Sequence, residues 1–203
     1  MTTFFLIRHA SCDGLGQKLW GRTPGICLNE RGAQQAQCLI DRFKNMSLDA
    51  IYSSPLERAL QTATVIANSM KLDVKTCDAA NEIDFGEWTG KTFDELSRDE
   101  RWRHFNRRRS VTMIPGGESF LEVQNRIVKE LETLALKHGE SHVAIISHAD
   151  IIRAAVAYFS AIPIDLVDRF EISPCSVSAV AVNADNATLL TLNNTGELNQ
   201  LWL

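Results

Sequence analysis

The stretch His142-Val143-Ala144-Ile145-Ile146-Ser147 decides the fold. Its centre is apolar and shows no alternation with polar residues, the pattern of a strand buried on both faces. Such a strand belongs inside a largely parallel sheet covered on both sides, so its flanks are expected to be helices. Ala149 to Phe159 resumes a helix, and Ser119 to His138 reads as a longer one with Leu121, Val128, Leu131 and Leu134 inward. At the other end of the chain, Thr3 to Arg8 is a second apolar run. It is followed after a loop by Glu30 to Lys44, where Ala33, Ala36, Leu39, Ile40 and Phe43 recur at helical spacing. Ala50 to Ser53 then ends at Ser54-Pro55, with proline suited to a first helical turn, and Leu56, Leu60, Ala63, Ile66 and Ala67 carry an apolar face onward. A third strand lies near Asp73 to Cys77, and an irregular loop runs from Asp78 to Gly90. Thr92 to Phe105 is charged and helical, and strands at Ser176 to Asn183 and Thr188 to Asn193 follow near the end. Strands alternating with helices predict an α/β fold with a mostly parallel central sheet.

The 203 residues suit a single domain over 1–203, with a helical cap-like elaboration around 92–115. At 45% hydrophobic and 23% charged the chain has the composition of a folded globular protein. Twenty-one Lys and Arg against 25 Asp and Glu leave a net charge of −4, so no global field favours nucleic acid or an anionic membrane. The apolar start Phe4 to Ile7 is stopped by Arg8-His9, too short for a signal core, and no stretch reads as a membrane span. The five cysteines are scattered without a C-x-x-C pair, which argues against a disulfide framework or zinc knuckle and for the cytoplasm.

Ligands of open α/β sheets bind at the carboxyl ends of strands, and three strand ends here deliver Arg8-His9, Arg58 just inside a helix, and His148. Arginine stays charged and pairs bidentately with phosphate oxygens, so Arg8 and Arg58 suit a phosphoryl dianion. A neutral imidazole is a competent nucleophile, and adjacent guanidinium charges hold His9 in that neutral form. His148 joins the arginines in stabilising charge on the transferring group. The leaving oxygen needs a proton, and the loop Asn81-Glu82-Ile83-Asp84-Phe85-Gly86-Glu87-Trp88 offers Glu82, Asp84 and Glu87 beside apolar residues that can keep a carboxyl protonated.

Leu6-Ile7-Arg8-His9-Ala10 resembles the R-H-G signature of the histidine phosphatase superfamily, the phosphoglycerate-mutase-like proteins. Further blocks resemble the family in order. They are Gly21 to Pro24 with Leu28 to Gly32, Ser53 to Ala63, Asn81 to Gly90, Gly116-Gly117-Glu118-Ser119 and Ser147-His148-Ala149, so the likeness covers nearly the whole chain. The resemblance implies a three-layer α/β/α sandwich with no required metal or organic cofactor. It implies His9 as the phosphorylated nucleophile, Arg8, Arg58 and His148 as the phosphate pocket, and Glu82 as proton donor. Ala149 stands where glycine is common, and its backbone N–H can still donate to phosphate. Arg22, with Trp20, is a candidate for leaving-group contacts. Mutases of the family are usually longer, with an insertion that encloses the intermediate, so a phosphomonoesterase acting on a small phosphorylated metabolite is expected. The competing readings are a phosphoglycerate-type phosphomutase and a weakly catalytic phospholigand-binding protein, in either case a monomer or homodimer.

Other features read more plainly. A metal site of His9, His148 and Asp150 lacks close ligand spacing. Gly14-Leu15-Gly16 has Leu19 where a dinucleotide-binding loop needs its third glycine. His104, His138 and His142 are expected at the surface, and Cys12 as packing. The cluster Arg98, Arg101, Arg103, Arg107, Arg108 and Arg109 is either a solvated helix face or an overhang that grips a second anionic group.

Overall fold

A computed structural model describes residues 1–198. Strand β1 (Thr2–Arg8) leads to helix α1 (Glu30–Phe43), β2 (Ala50–Ser53), α2 (Glu57–Met70) and β3 (Val74–Thr76). Helices α3 (Phe93–Ser97), α4 (Glu100–Arg107) and α5 (Phe120–His138) follow, then β4 (His142–Ser147), α6 (Ala149–Phe159), β5 (Val177–Val182) and β6 (Ala187–Asn194). The sheet order is β3-β2-β4-β1-β5-β6. Strands β1 to β4 are parallel neighbours, and β5 runs antiparallel to both β1 and β6.

Alternate residues of the central strands feed two cores, because successive side chains of a strand point to opposite faces. Phe5, Ile7, Ile51, Ala144 and Ile146 pack against Ala36, Leu39 and Phe43 of α1 and Ala59, Ala63 and Ile66 of α2. Phe4, Leu6, Tyr52, Val143 and Ile145 pack with Ile127 and Leu131 of α5 and Ile152 and Ala155 of α6. The expected three-layer α/β/α sandwich with a mostly parallel sheet is therefore what forms. Each fully buried Phe or Ile in these layers contributes roughly 1.5–3 kcal/mol.

Local chemistry shifts several predicted details. Ser119 caps α5 in a capping box with Glu122, which fixes the helix phase so that Phe120, Val123, Ile127 and Leu131 face inward. Leu121, expected inward, is consequently 46% exposed. In α1 the buried position falls on Gly32, and Ala33 faces solvent. A Cβ on Gly32 would collide with the Ser11 carbonyl, so the helix sits against the loop that leaves β1. Pro55 precedes the α2 N-cap, Leu56, and so lies just outside the first turn. The predicted single helix over 92–105 is two, because Asp99 accepts the Arg101 N–H and starts α4 afresh.

The register positions the crevice. Ile7 pairs with Ile146 and Arg8 with Ser147, so β1 and β4 end at the same level. The next residues, His9 and His148, leave the sheet side by side, with His9 N–H donating to Ser147 O at 2.9 Å.

Candidate active site

The two imidazoles have ring centroids 5.1 Å apart. His9 is buried, and its Nδ1 lies 2.7 Å from the Ala10 carbonyl. A carbonyl only accepts, so the proton sits on Nδ1 and Nε2 keeps its lone pair. Burial, with the charges of Arg58 and Arg8, pushes the His9 pKa down to about 3. His148 is fully buried and held well below its ordinary value, by desolvation first and then by His9 and the arginines. Its Nε2 lies 2.8 Å from Ser54 Oγ and its Nδ1 3.4 Å from Arg58 Nη2.

Arg58 is 2% exposed and its Nη2 also donates to Gly21 O at 2.8 Å. Arg8 Nη1 donates to Ile172 O at 2.6 Å. Arg58 Nη1 and Arg8 Nε are buried and find no hydrogen-bond partner among the described residues. Unmade bonds on buried charged donors are costly, so native sites retain them for a ligand that accepts. Both arginines line a crevice of about 280 Å³ together with His9, Glu82 and Ala149. Ala149 is the first residue of α6, where free backbone N–H groups favour an anion.

Of the three loop carboxylates, Glu82 lines the crevice. Glu87 is exposed and lies 3.5 Å from Arg101, and Asp84 accepts the Gly86 N–H at 3.0 Å. Burial and then the charge of Asp150 raise Glu82 to about 7, against the pull of Arg58 and Arg8. Its loop is tied from behind. Arg22 Nε donates to the Glu82 carbonyl at 2.8 Å, Arg126 Nη2 to Asn81 O at 2.8 Å, and Glu118 accepts both guanidinium groups and the Asp84 N–H. Gly117 lies so close to this loop that a Cβ would strike the Asp84 carbonyl. The Gly116 to Ser119 block is thus a backing plate for the loop that carries Glu82. Arg22, expected near the leaving group, spends its guanidinium on Glu82 and Glu118 and does not line the crevice.

Of the outer wall the sequence reading named Trp20 and, within the basic cluster, Arg109, and it missed Phe85, Phe93, Trp102, Asn106 and Arg153. Trp20, Phe85, Phe93, Trp102 and Asn106 line the crevice together with Arg109, Asp150 and Arg153. The basic cluster divides, since Arg98, Arg101, Arg103, Arg107 and Arg108 are exposed while Arg109 is 5% exposed and pairs with Asp150 at 3.3 Å and Asp168 at 3.0 Å. Asp150, weighed above as a metal ligand, has its Oδ1 between Arg109 and Arg153. Its place two residues after His148 was the one signal that could have found it. His104 is exposed as expected, while His138 is half-buried against Tyr52.

A doubly covered, mostly parallel sheet with two neutral histidines and two partly unpaired arginines at its carboxyl edge defines an α/β phosphohydrolase. A profile of the histidine phosphatase superfamily (branch 1) matches residues 4–195, and the chain belongs to that superfamily. It is 30% identical over 211 residues to phosphoserine phosphatase 1 of Hydrogenobacter thermophilus, covering 100% of this chain and 97% of the relative. To the adenosylcobalamin/alpha-ribazole phosphatase of Escherichia coli it is 28% identical over 204 residues, covering 94% and 95%. A solved phosphoserine phosphatase of Entamoeba histolytica in complex with 3-phosphoglyceric acid matches with a TM-score of 0.87 and 27% identity, covering 100% of both chains. The chain is a phosphatase of a small phosphorylated metabolite. Among the described residues, no helix is long and apolar enough to cross a membrane.

Proposed function

We propose that the phosphatase works through a phosphohistidine on His9. The observation that carries this reading is the lone pair of His9 Nε2 beside two buried arginines with unmade hydrogen bonds. Arg8, Arg58, His148 and the Ala149 N–H hold the phosphoryl oxygens. His9 Nε2 attacks phosphorus as the bond to the leaving oxygen breaks, and Glu82 gives that oxygen its proton, releasing the alcohol. Water then attacks the phosphohistidine and yields its proton to the Glu82 carboxylate, which frees inorganic phosphate and restores both groups. Arg22 and Arg126 position the acid by holding the backbone of its loop. The helices over 93–107 roof the crevice as a cap through Phe93, Trp102 and Asn106. Five free cysteines, two of them exposed, support a reducing compartment such as the cytoplasm.

Rapid quench with a radiolabelled phosphomonoester, phosphoserine among a panel of small metabolite esters, tests the mechanism. Acid-labile, base-stable label on His9 and its loss in His9→Ala are expected, with turnover unchanged by EDTA. Release of the label as inorganic phosphate marks a phosphatase, whereas its retention in organic product marks a mutase. Turnover persisting in His9→Ala would overturn the assignment.

A further inference from the structure

We propose that Asp150 is a positioning residue for the proton of Glu82: held as a carboxylate on the crevice wall by Arg109 and Arg153, it forces the proton of the pair onto Glu82. The inference rests on the reading of Glu82 as proton donor. Both side chains line the crevice and approach it from different elements, Glu82 from the loop after β3 and Asp150 from the first turn of α6. Asp150 stands two residues beyond His148, whose Nδ1 lies 3.7 Å from Glu82 Oε2.

The surroundings of the two carboxyl groups differ in one decisive respect. Asp150 Oδ1 accepts from Arg109 Nη1 at 3.3 Å and Arg153 Nη1 at 3.2 Å, and an acidic group is favoured in the first turn of a helix. Arg109 cannot swing away. It is 5% exposed, bound to Asp168 and Asn106 at 3.0 Å each, and stacked 4.9 Å and 5.0 Å from the rings of Phe105 and Phe120. The Glu82 carboxyl accepts the Ile83 N–H at 3.0 Å and bonds no guanidinium among the described residues. Of two carboxyl groups in one poorly solvated crevice, the one bonded by guanidinium groups ionises first and the proton stays on the other.

The charged groups facing Glu82 are Arg8 at the end of β1, Arg58 on α2 and Asp150 at the start of α6, and the neutral His148 is the other titratable one. Arg22 and Arg126 bind its carbonyl. Arg8 and Arg58 draw Glu82 toward ionisation, while burial and Asp150 oppose them. A phosphoryl dianion seated on Arg8 and Arg58 cancels their pull and leaves the push of Asp150 unopposed. The acid is thereby kept protonated and neutral at the moment a substrate needs its proton.

The test is the pH dependence of kcat in Asp150→Asn for an alkyl phosphomonoester, which needs the acid, and for p-nitrophenyl phosphate, which does not. Removing the charge lowers the Glu82 pKa, so the alkaline limb for the alkyl ester should move toward acid by about one pH unit, about a tenfold loss on that side. The aryl ester should keep its rate across the same range. The limb's midpoint does not depend on how much of the enzyme is active, and Asp150→Ser provides a second variant if the amide folds poorly. An unmoved limb, or an equal loss on both esters at every pH, would overturn the role of Asp150. Glu82→Gln separates the two readings when the formation of phosphohistidine is followed in a single turnover, because loss of the acid should slow that step far more for the alkyl ester than for the aryl one. Equal losses of the two esters in that first step would sink the acid assignment itself.

Discussion

His9 shows how a single backbone contact selects a chemical form. The strand end places Nδ1 against the Ala10 carbonyl, the N–H of Ala10 is itself taken by Thr62 Oγ1 at 3.1 Å, and Thr62 Oγ1 donates to the Arg58 carbonyl at 2.8 Å. His9 and Arg58 are thereby braced through one hydroxyl. Because burial and two guanidinium charges lower the ring pKa from 6.5 to about 3, the ring stays neutral across the physiological range. Nitrogen NMR of the free protein should show His9 protonated on Nδ1 and untitrated from about pH 8 to about pH 5. A midpoint near the ordinary value would mean that the ring is solvated and the arginines do not bear on it. The pair Arg8-His9 was legible in the sequence, since a charged dipeptide ending an apolar strand is conspicuous. The tautomer was not, because it depends on a carbonyl direction that only the folded backbone defines.

At the scale of elements, the loop over Asp78 to Gly90 is held by α5 and the segment before it. Gly117 carries that contact, and its requirement is spatial, for a Cβ there would meet the Asp84 carbonyl and the Gly86 N–H. Gly117→Ala should cost about 2 kcal/mol in urea unfolding, the range for overpacking a close contact. A loss within about 0.5 kcal/mol, typical of a surface change, would show that the loop yields freely. The sequence named the glycines and the loop separately, and their partnership spans 30 or more positions of chain, beyond any periodic signal. Leu121 and the split of the 92–105 segment illustrate the same limit from the other side. Apolar spacing locates a helix, but the cap residue sets its phase and its start.

For the whole molecule, four parallel strands bring the candidate site together from residues that are distant along the chain. Arg8 follows β1, Arg58 opens α2 and His148 follows β4, yet all meet because β2, β4 and β1 are adjacent and end at one level. A ligand bound only by the folded state stabilises it, so inorganic phosphate at a hundred times its Kd should raise the unfolding free energy by about 2.7 kcal/mol. Arg58→Met, measured by urea midpoint with and without phosphate, should remove most of that gain. An undiminished gain would place the anion elsewhere. The chain's own order of residues determined the α/β layering, because runs such as His142 to Ser147 can be buried only between two helical layers, and it marked His9, Arg8, Arg58 and His148 at strand ends. Among the three loop carboxylates, residue chemistry alone left the choice open and only the resemblance pointed to Glu82; tertiary structure alone decided that Arg22 braces the loop carrying it and that Arg109 turns inward to Asp150. Those outcomes depend on side chains meeting across elements without a common period, and such meetings exist only once the layers have packed.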